Sequence, residues 1–170
     1  LMATDGEGNT NSYVYDKIDR LLTFKDGRGN DTAYEYDPLS RLLSVTTPEG
    51  GKESYTYDVI GNILTATDAN GLVTSYEHDI MGNIIKTVSP KGAVNTYTYD
   101  KHDELTSETD AMGNVVTYDV DMNRLVTKIT QKNGGEYKYT YDPVHRITSV
   151  TTPLGYKTDF TYSVGDDILK

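Results

Sequence analysis

The chain has 170 residues, a net charge of -10 and a pI near 4.6, and 36% of its residues are hydrophobic. Such acidity excludes nucleic acid, whose binders displace counterions with a basic surface, and works against docking on an anionic membrane. With 15 Tyr, two Phe, no Trp and no Cys, any core is made of phenols and short aliphatics, without disulfides or thiolate metal sites.

Along the chain one phrase, Tyr-x-Tyr-Asp, recurs every 21 residues. It stands at Tyr13 to Asp16, Tyr34 to Asp37, Tyr55 to Asp58, Tyr97 to Asp100 and Tyr139 to Asp142, with His78 replacing the second Tyr at Tyr76 to Asp79. Weaker copies at Tyr118 to Asp121 and Phe160 to Ser163 keep the beat. A fixed period of this size marks a repeat architecture, in which no single unit can bury its own apolar face.

The copy beginning at Arg20 shows the unit. Arg20 to Lys25 and Asn30 to Tyr36 are rich in β-branched and aromatic residues without helical spacing, so both read as strands. Between them, Asp26-Gly27-Arg28-Gly29 reads as a type I turn closing into a bulge with Gly in the left-handed region. Its copies are Thr47 to Gly50, Asp68 to Gly71, Ser89 to Gly92, Asp110 to Gly113 and Thr152 to Gly155, and Asp5 to Asn9 matches Asp26 to Asn30. An Asp, Ser or Thr side-chain oxygen stands first, where it can bond the backbone two residues on. A second turn begins at the motif Asp, as in Asp37-Pro38-Leu39-Ser40 and Asp142-Pro143-Val144-His145. An aliphatic follows it at Leu21, Leu42, Ile63, Ile84, Leu105, Leu125, Ile147 and Ile168. The sixth copy reads as a compensated slip, one residue short before Leu125 and one long before Gly134.

The expected fold is all-β: an antiparallel meander of about sixteen short strands, a single array over residues 1–170 cut in mid-repeat at both ends. Pairing Asp26 with Asn30 and Asp37 with Arg41 puts positions 22 apart in register, whereas the sequence repeats every 21. One bulge per repeat, or a different second turn, must absorb the odd residue, and regular bulging predicts a curved ribbon. Alternation puts Thr32, Tyr34 and Tyr36 on one face and Asp31, Ala33 and Glu35 on the other. The tyrosine and aliphatic side is therefore the one expected to be buried.

Tyr34 to Leu42, Tyr55 to Ile63 and Tyr139 to Ile147 resemble the YD repeat of the Rhs protein family, and the resemblance runs through the whole chain. That family includes bacterial polymorphic toxins, the cocoon-forming components of insecticidal toxin complexes, and teneurins. The resemblance implies a segment of a spiral β-shell, secreted or at the cell surface, that encloses or presents a C-terminal toxic or effector domain. Its partners would then be the rest of the shell and that enclosed domain. The closing protease-like segment and the toxic domain of such toxins are not recognisable in these residues.

Chemistry is sparse by comparison. The loops at Asp5, Asp26 and Asp110 resemble calcium-binding repeats, but Thr47, Ser89 and Thr152 replace the Asp, and turn capping accounts for all copies. His78, His102 and His145 share no ligand spacing, and no nucleophile elbow, phosphate loop or zinc signature occurs. No enzymatic activity, metal or cofactor is expected. The alternative is adhesion or carbohydrate binding on the tyrosine face, through Tyr34, Tyr36, Tyr55, Tyr57, Tyr97 and Tyr99. Exposed strand edges also predict self-association of the fragment.

Overall fold

The computed structural model describes residues 2–4 and 10–163. The turn copy at Asp5 to Asn9 and the aliphatic pair Ile168-Leu169 lie outside the described residues. Within each unit, strands consecutive in the chain pair antiparallel, and no helix occurs among the described residues.

The chain divides into two compact units, Leu1–Glu77 with Thr87–Gly92, and His78–Lys86 with Ala93–Lys170. The first holds β1 (Met2–Thr4), β2 (Thr10–Tyr15), β3 (Leu21–Lys25), β4 (Asp31–Tyr36), β5 (Leu42–Thr46), β6 (Lys52–Tyr57), β7 (Ile63–Thr67) and all but the last residue of β8 (Val73–His78). Strand β9 (Ile84–Val88) has residues in both units. The second unit holds β10 (Val94–Tyr99), β11 (Leu105–Thr109), β12 (Val115–Val120), β13 (Val126–Thr130), β14 (Glu136–Tyr141), β15 (Ile147–Thr151) and β16 (Lys157–Asp159).

Both turns of each repeat have the same backbone. Asp26 N–H donates to the Asn30 carbonyl and Gly29 N–H to the Asp26 carbonyl, at 3.0 and 2.9 Å; Asp37, Arg41 and Ser40 repeat this at the second turn. The fourth turn residue is left-handed in each case, for example Gly50 at φ 84° and Ser40 at φ 66°. Asp19, Asp103, Arg124 and His145 hold the same conformation without the freedom of glycine.

The odd residue is absorbed in the strands, not in the turn. Tyr36 pairs with Leu42 but Glu35 pairs with Ser44, so Leu43 is a bulge. The same shift occurs at Tyr15/Leu21, Tyr57/Ile63, Tyr99/Leu105, Val120/Val126 and Tyr141/Ile147. Hairpins closed by the first turn carry no such shift. Phe24 faces Thr32 and Lys25 faces Asp31, and the ladder ends at Thr23↔Ala33.

The slip expected in the sixth copy is corrected by the structure. Asp121 N–H donates to the Leu125 carbonyl at 2.9 Å, as Asp37 does to Arg41, and Val120 pairs with Val126. Gln131 N–H meets the Gly135 carbonyl at 2.9 Å, closing an ordinary first turn. The 21-residue phase is never lost. Arg124 occupies the left-handed corner, Leu125 the usual Arg or Asn position, and Val126, rather than Leu125, is the aliphatic that falls on the 21-residue phase.

The expected buried tyrosine face is also corrected, in degree. Strand β4 alternates half-buried Thr32, Tyr34 and Tyr36 with exposed Asp31, Ala33 and Glu35, as the sequence pattern requires. Yet among the described residues no hydrophobic side chain is buried; only Asp37, Ser44 and Ser149 are. A sheet face with no layer packed on it shields its side chains only by their neighbours in the sheet. Ser44 and Ser149, both on the opposite face, are covered because they are short and their neighbours are long or branched. Ser44 donates to Glu35 Oε2 at 2.6 Å, and Lys52 Nζ bonds the same oxygen at 2.9 Å.

Candidate functional site

The motif residues converge at the second-turn corner. Asp37 Oδ1 accepts the N–H groups of Leu39 and Arg41, at 2.8 and 2.9 Å, and Oδ2 accepts Arg41 Nε at 2.6 Å. Burial pushes the Asp37 carboxyl up, but the backbone N–H and guanidinium of Arg41 outweigh it and hold the acid below its usual range. At Asp58 and Asp79 the amides of Asn62 and Asn83 replace the guanidinium, at 2.9 and 3.0 Å.

Where an arginine stands at the corner, it ties that corner to the next repeat. Arg41 Nη1 donates to the Asp58 carbonyl at 2.7 Å, and its guanidinium lies 4.9 Å from the centroid of the Tyr57 ring. Arg20 does the same with the Asp37 carbonyl and the Tyr36 ring, and Arg146 stacks over Tyr162. The second tyrosine supplies the other bond. Tyr57 hydroxyl donates to the Leu42 carbonyl at 2.6 Å, just where the β5–β6 ladder has stopped at Ser44↔Ser54. Tyr99, Tyr141 and Tyr162 reach the Ile84, Val126 and Ile147 carbonyls likewise, at 3.0, 2.7 and 2.6 Å. A phenol thus replaces the backbone bond lost where two strands part. This explains Tyr rather than Phe at the second position, a role invisible in the period alone.

These contacts decide which proposed ligand-binding tyrosines remain available. Of the six, Tyr36 carries Arg20 over its ring, and Tyr57 and Tyr99 have hydroxyls committed to backbone carbonyls. Tyr34, Tyr55 and Tyr97 keep that freedom, although Tyr55 hydroxyl donates to Glu53 at 3.2 Å. Tyr97 differs from the others in its neighbour. The residue paired with the first tyrosine is Phe24, Val45, Ala66, Ile129 or Val150 at five copies, but Glu108 here. Tyr118 hydroxyl donates to Glu108 Oε1 at 2.9 Å, and burial, then this carboxylate, pushes the Tyr118 phenol up. Asn95, Tyr97, Glu108, Asn114 and Lys132 line a cleft of about 220 Å³. Comparing residues 21 apart would have exposed Glu108; the sequence reading passed over it.

The calcium-like loop at Asp26 is filled by its own donors. Its Oδ1 accepts Arg28 and Asn30 N–H, and Oδ2 accepts Asn30 Nδ2 at 2.9 Å. Asp110 is engaged in the same way by Met112 and Asn114. His78 ends β8, and His102 and His145 sit in separate second turns. Among the described residues no group of three or more His, Asp or Glu side chains is placed to hold a metal ion.

No curated protein matches this sequence. Among solved structures, the fold is similar to TcdB2-TccC3-TEV, with a TM-score of 0.72 at 20% identity over 91% of this chain and 10% of that one. It is similar to the Photorhabdus luminescens Tc holotoxin pore, with a TM-score of 0.72 at 20% identity over 94% of this chain and 10% of that one. TcdB2-TccC3 without its hypervariable C-terminal region gives 0.71 at 20% identity, covering 91% and 10%. The chain therefore spans about a tenth of the length of each of these structures. The RHS Repeat family model matches residues 15–52, 53–94, 99–136 and 123–158. With hairpins, corners and period all in agreement, this chain belongs to the RHS repeat family.

Proposed function

We propose that the chain is a non-enzymatic wall segment of an RHS/YD-repeat β-shell, which encloses or presents a toxic or effector domain of the same parent protein. The observation that carries this reading is the commitment of the motif residues. The motif Asp residues spend their oxygens on the corners, Arg20 and Arg41 reach across to the next repeat, and Tyr57, Tyr99, Tyr141 and Tyr162 bond backbone carbonyls across strands, which is what a repeating wall needs. Similarity to the toxin-complex structures supports the same reading at the level of fold. The array is taken to form one domain of a secreted parent protein, with the rest of the shell and its cargo as partners.

Limited proteolysis of the full-length parent tests the proposal. A C-terminal domain that resists protease in the intact protein, and is digested once the array is destabilised, agrees with it. A domain fully open to added protease in the folded parent contradicts it.

A second reading has one observation in its favour. The cleft beside Tyr97 combines an aromatic face, two amides, a carboxylate and an ammonium, a set able to bind a polyhydroxylated ring. Saturable binding on a glycan array that is lost in Tyr97→Ala, with the fold retained, would favour adhesion over a purely structural wall.

A further inference from the structure

Two clefts on the tyrosine face occupy the same place in the repeat, two periods apart in the sequence. One, in the second unit, is the cleft beside Tyr97. The other, in the first unit, lies beside Tyr55 and is also about 220 Å³. Their lining positions coincide throughout: Tyr55 answers to Tyr97, Thr67 to Thr109 and Asp68 to Asp110. In both, the residue paired with the first tyrosine is not a large apolar one. It is Ala66 or Glu108, whereas Phe24 at the first copy packs on Tyr13 with ring centroids 5.2 Å apart.

The two clefts differ in charge. Beside Tyr97, the carboxylates of Glu108 and Asp110 share the cleft with the Lys132 ammonium. Asp110 is held below its usual range first by the Asn114 amide and least by Lys132. Beside Tyr55, Pro90 stands at the position of that lysine, and none of the described residues lining the cleft is a Lys, Arg or His. Its two carboxylates are Asp68 and Glu53, which accepts the Tyr55 hydroxyl at 3.2 Å. Asp68 Oδ1 takes the Asn70 and Leu72 N–H groups, both at 2.9 Å. Its Oδ2 lacks the side-chain amide that Asn30 and Asn114 give to Asp26 and Asp110, because Leu72 stands there instead. The Tyr55 cleft is thus the same site without its own cation and with one carboxylate oxygen uncommitted.

We propose that the Tyr55 cleft binds an alkylammonium group, the chemistry of a lysine side chain or a polyamine, in the place that Lys132 holds beside Tyr97. Asp68 Oδ2 and Glu53 supply charge-assisted acceptors, Thr67 and Thr74 supply hydroxyls, and the Tyr55 ring attracts a cation. Ala66, Leu72 and Pro90 offer apolar surface to the methylene stem that carries such an ammonium.

The inference stands on the cleft alone and needs neither an enclosed cargo nor a sugar ligand. Nuclear magnetic resonance titration of the whole chain tests it, with Nα-acetyl-lysine methylamide and spermidine as probes and the norleucine analogue as the uncharged control. The expected result is saturable shifts of the Thr67, Asp68 and Thr74 amides with a Kd on the order of 1 mM, absent with the norleucine analogue. Whichever cation binds more tightly identifies the source of the ammonium. Asp68→Asn keeps the turn-capping oxygen but not the charge, and Pro90→Lys supplies a competing ammonium from within. Each should weaken binding at least about fivefold, with dispersed spectra showing that the variants stay folded. Shifts that never saturate, equal shifts with the norleucine analogue, or binding unchanged in both variants overturns the proposal.

Discussion

Removing one oxygen atom separates the two tyrosines of the motif. Tyr57→Phe keeps the ring under the Arg41 guanidinium and deletes only the 2.6 Å bond to the Leu42 carbonyl. That carbonyl lies where the β5–β6 ladder has already ended, so no strand partner can take over. A hydrogen bond of this kind contributes about 1 kcal/mol net, and the half-buried site lets water recover part of the cost of an orphaned acceptor. With a urea m-value of about 2 kcal/mol/M, the expected change is a fall of about 0.5 M in the midpoint. Tyr55→Phe is the matched control, because its hydroxyl reaches only the exposed Glu53, at 3.2 Å, and its midpoint should move by less than about 0.2 M. Urea titrations of parent and variants, followed by far-ultraviolet dichroism, make the comparison. Equal shifts in the two variants, or none in Tyr57→Phe, would refute the strand-locking role of the second tyrosine.

Other perturbations probe the remaining parts of the repeat. Arg124→Gly should raise stability by about 0.5–1 kcal/mol, since a left-handed residue is relieved of its side chain and only an exposed 3.4 Å ion pair to Glu104 is lost; thermal melting checks this. Restoring the motif phenol in His78→Tyr should stabilise by about 1 kcal/mol, because His78 Nδ1 is buried without a partner; an unchanged or lowered denaturation midpoint would count against that. Gly51→Ala should destabilise by about 1 kcal/mol, because its new Cβ would meet Ala69 Cβ at 3.0 Å. Acid should weaken the corners. Asp26 is held below its usual range first by Asn30 N–H and then by the Asn30 side chain, and Asp37 is lowered as well. A carboxyl depressed in the folded state stabilises above its unfolded pKa, near 3.8, and loses that contribution as pH falls through its lower folded value. Urea midpoints should therefore drop below about pH 4, and midpoints that rise there would contradict the corner assignment.

Strands and turns were legible because two local signals agreed: alternation in the strands and Asp, Gly or Pro at fixed turn positions. The bulge was legible only as a counting mismatch of 22 against 21; its place at Leu43 depends on which ladder yields, which composition does not encode. The sixth copy misled because Arg124-Leu125 imitates Arg41-Leu42, although Asp121 counts off its corner by backbone position. The corner locks were hidden for another reason. Tyr57 and Leu42 lie 15 residues apart, and their contact exists only because β5 and β6 part beyond Ser44. Burial was misjudged since alternation ranks faces against each other, while coverage depends on what packs against them. Glu108 needed neither structure nor energy to find, only a comparison with Val45 and Ile129 at the same phase.

The register around the bulges tests the central structural claim most directly, by cross-strand nuclear Overhauser contacts in an isotope-labelled sample. The repeating bulged meander predicts backbone contacts of Glu35 with Ser44, Thr56 with Thr65 and Thr140 with Ser149, with Leu43 and Leu64 left out of the backbone register. Backbone pairing of Glu35 with Leu43 and Thr56 with Leu64, in place of Ser44 and Thr65, would show an unbulged ladder and contradict it.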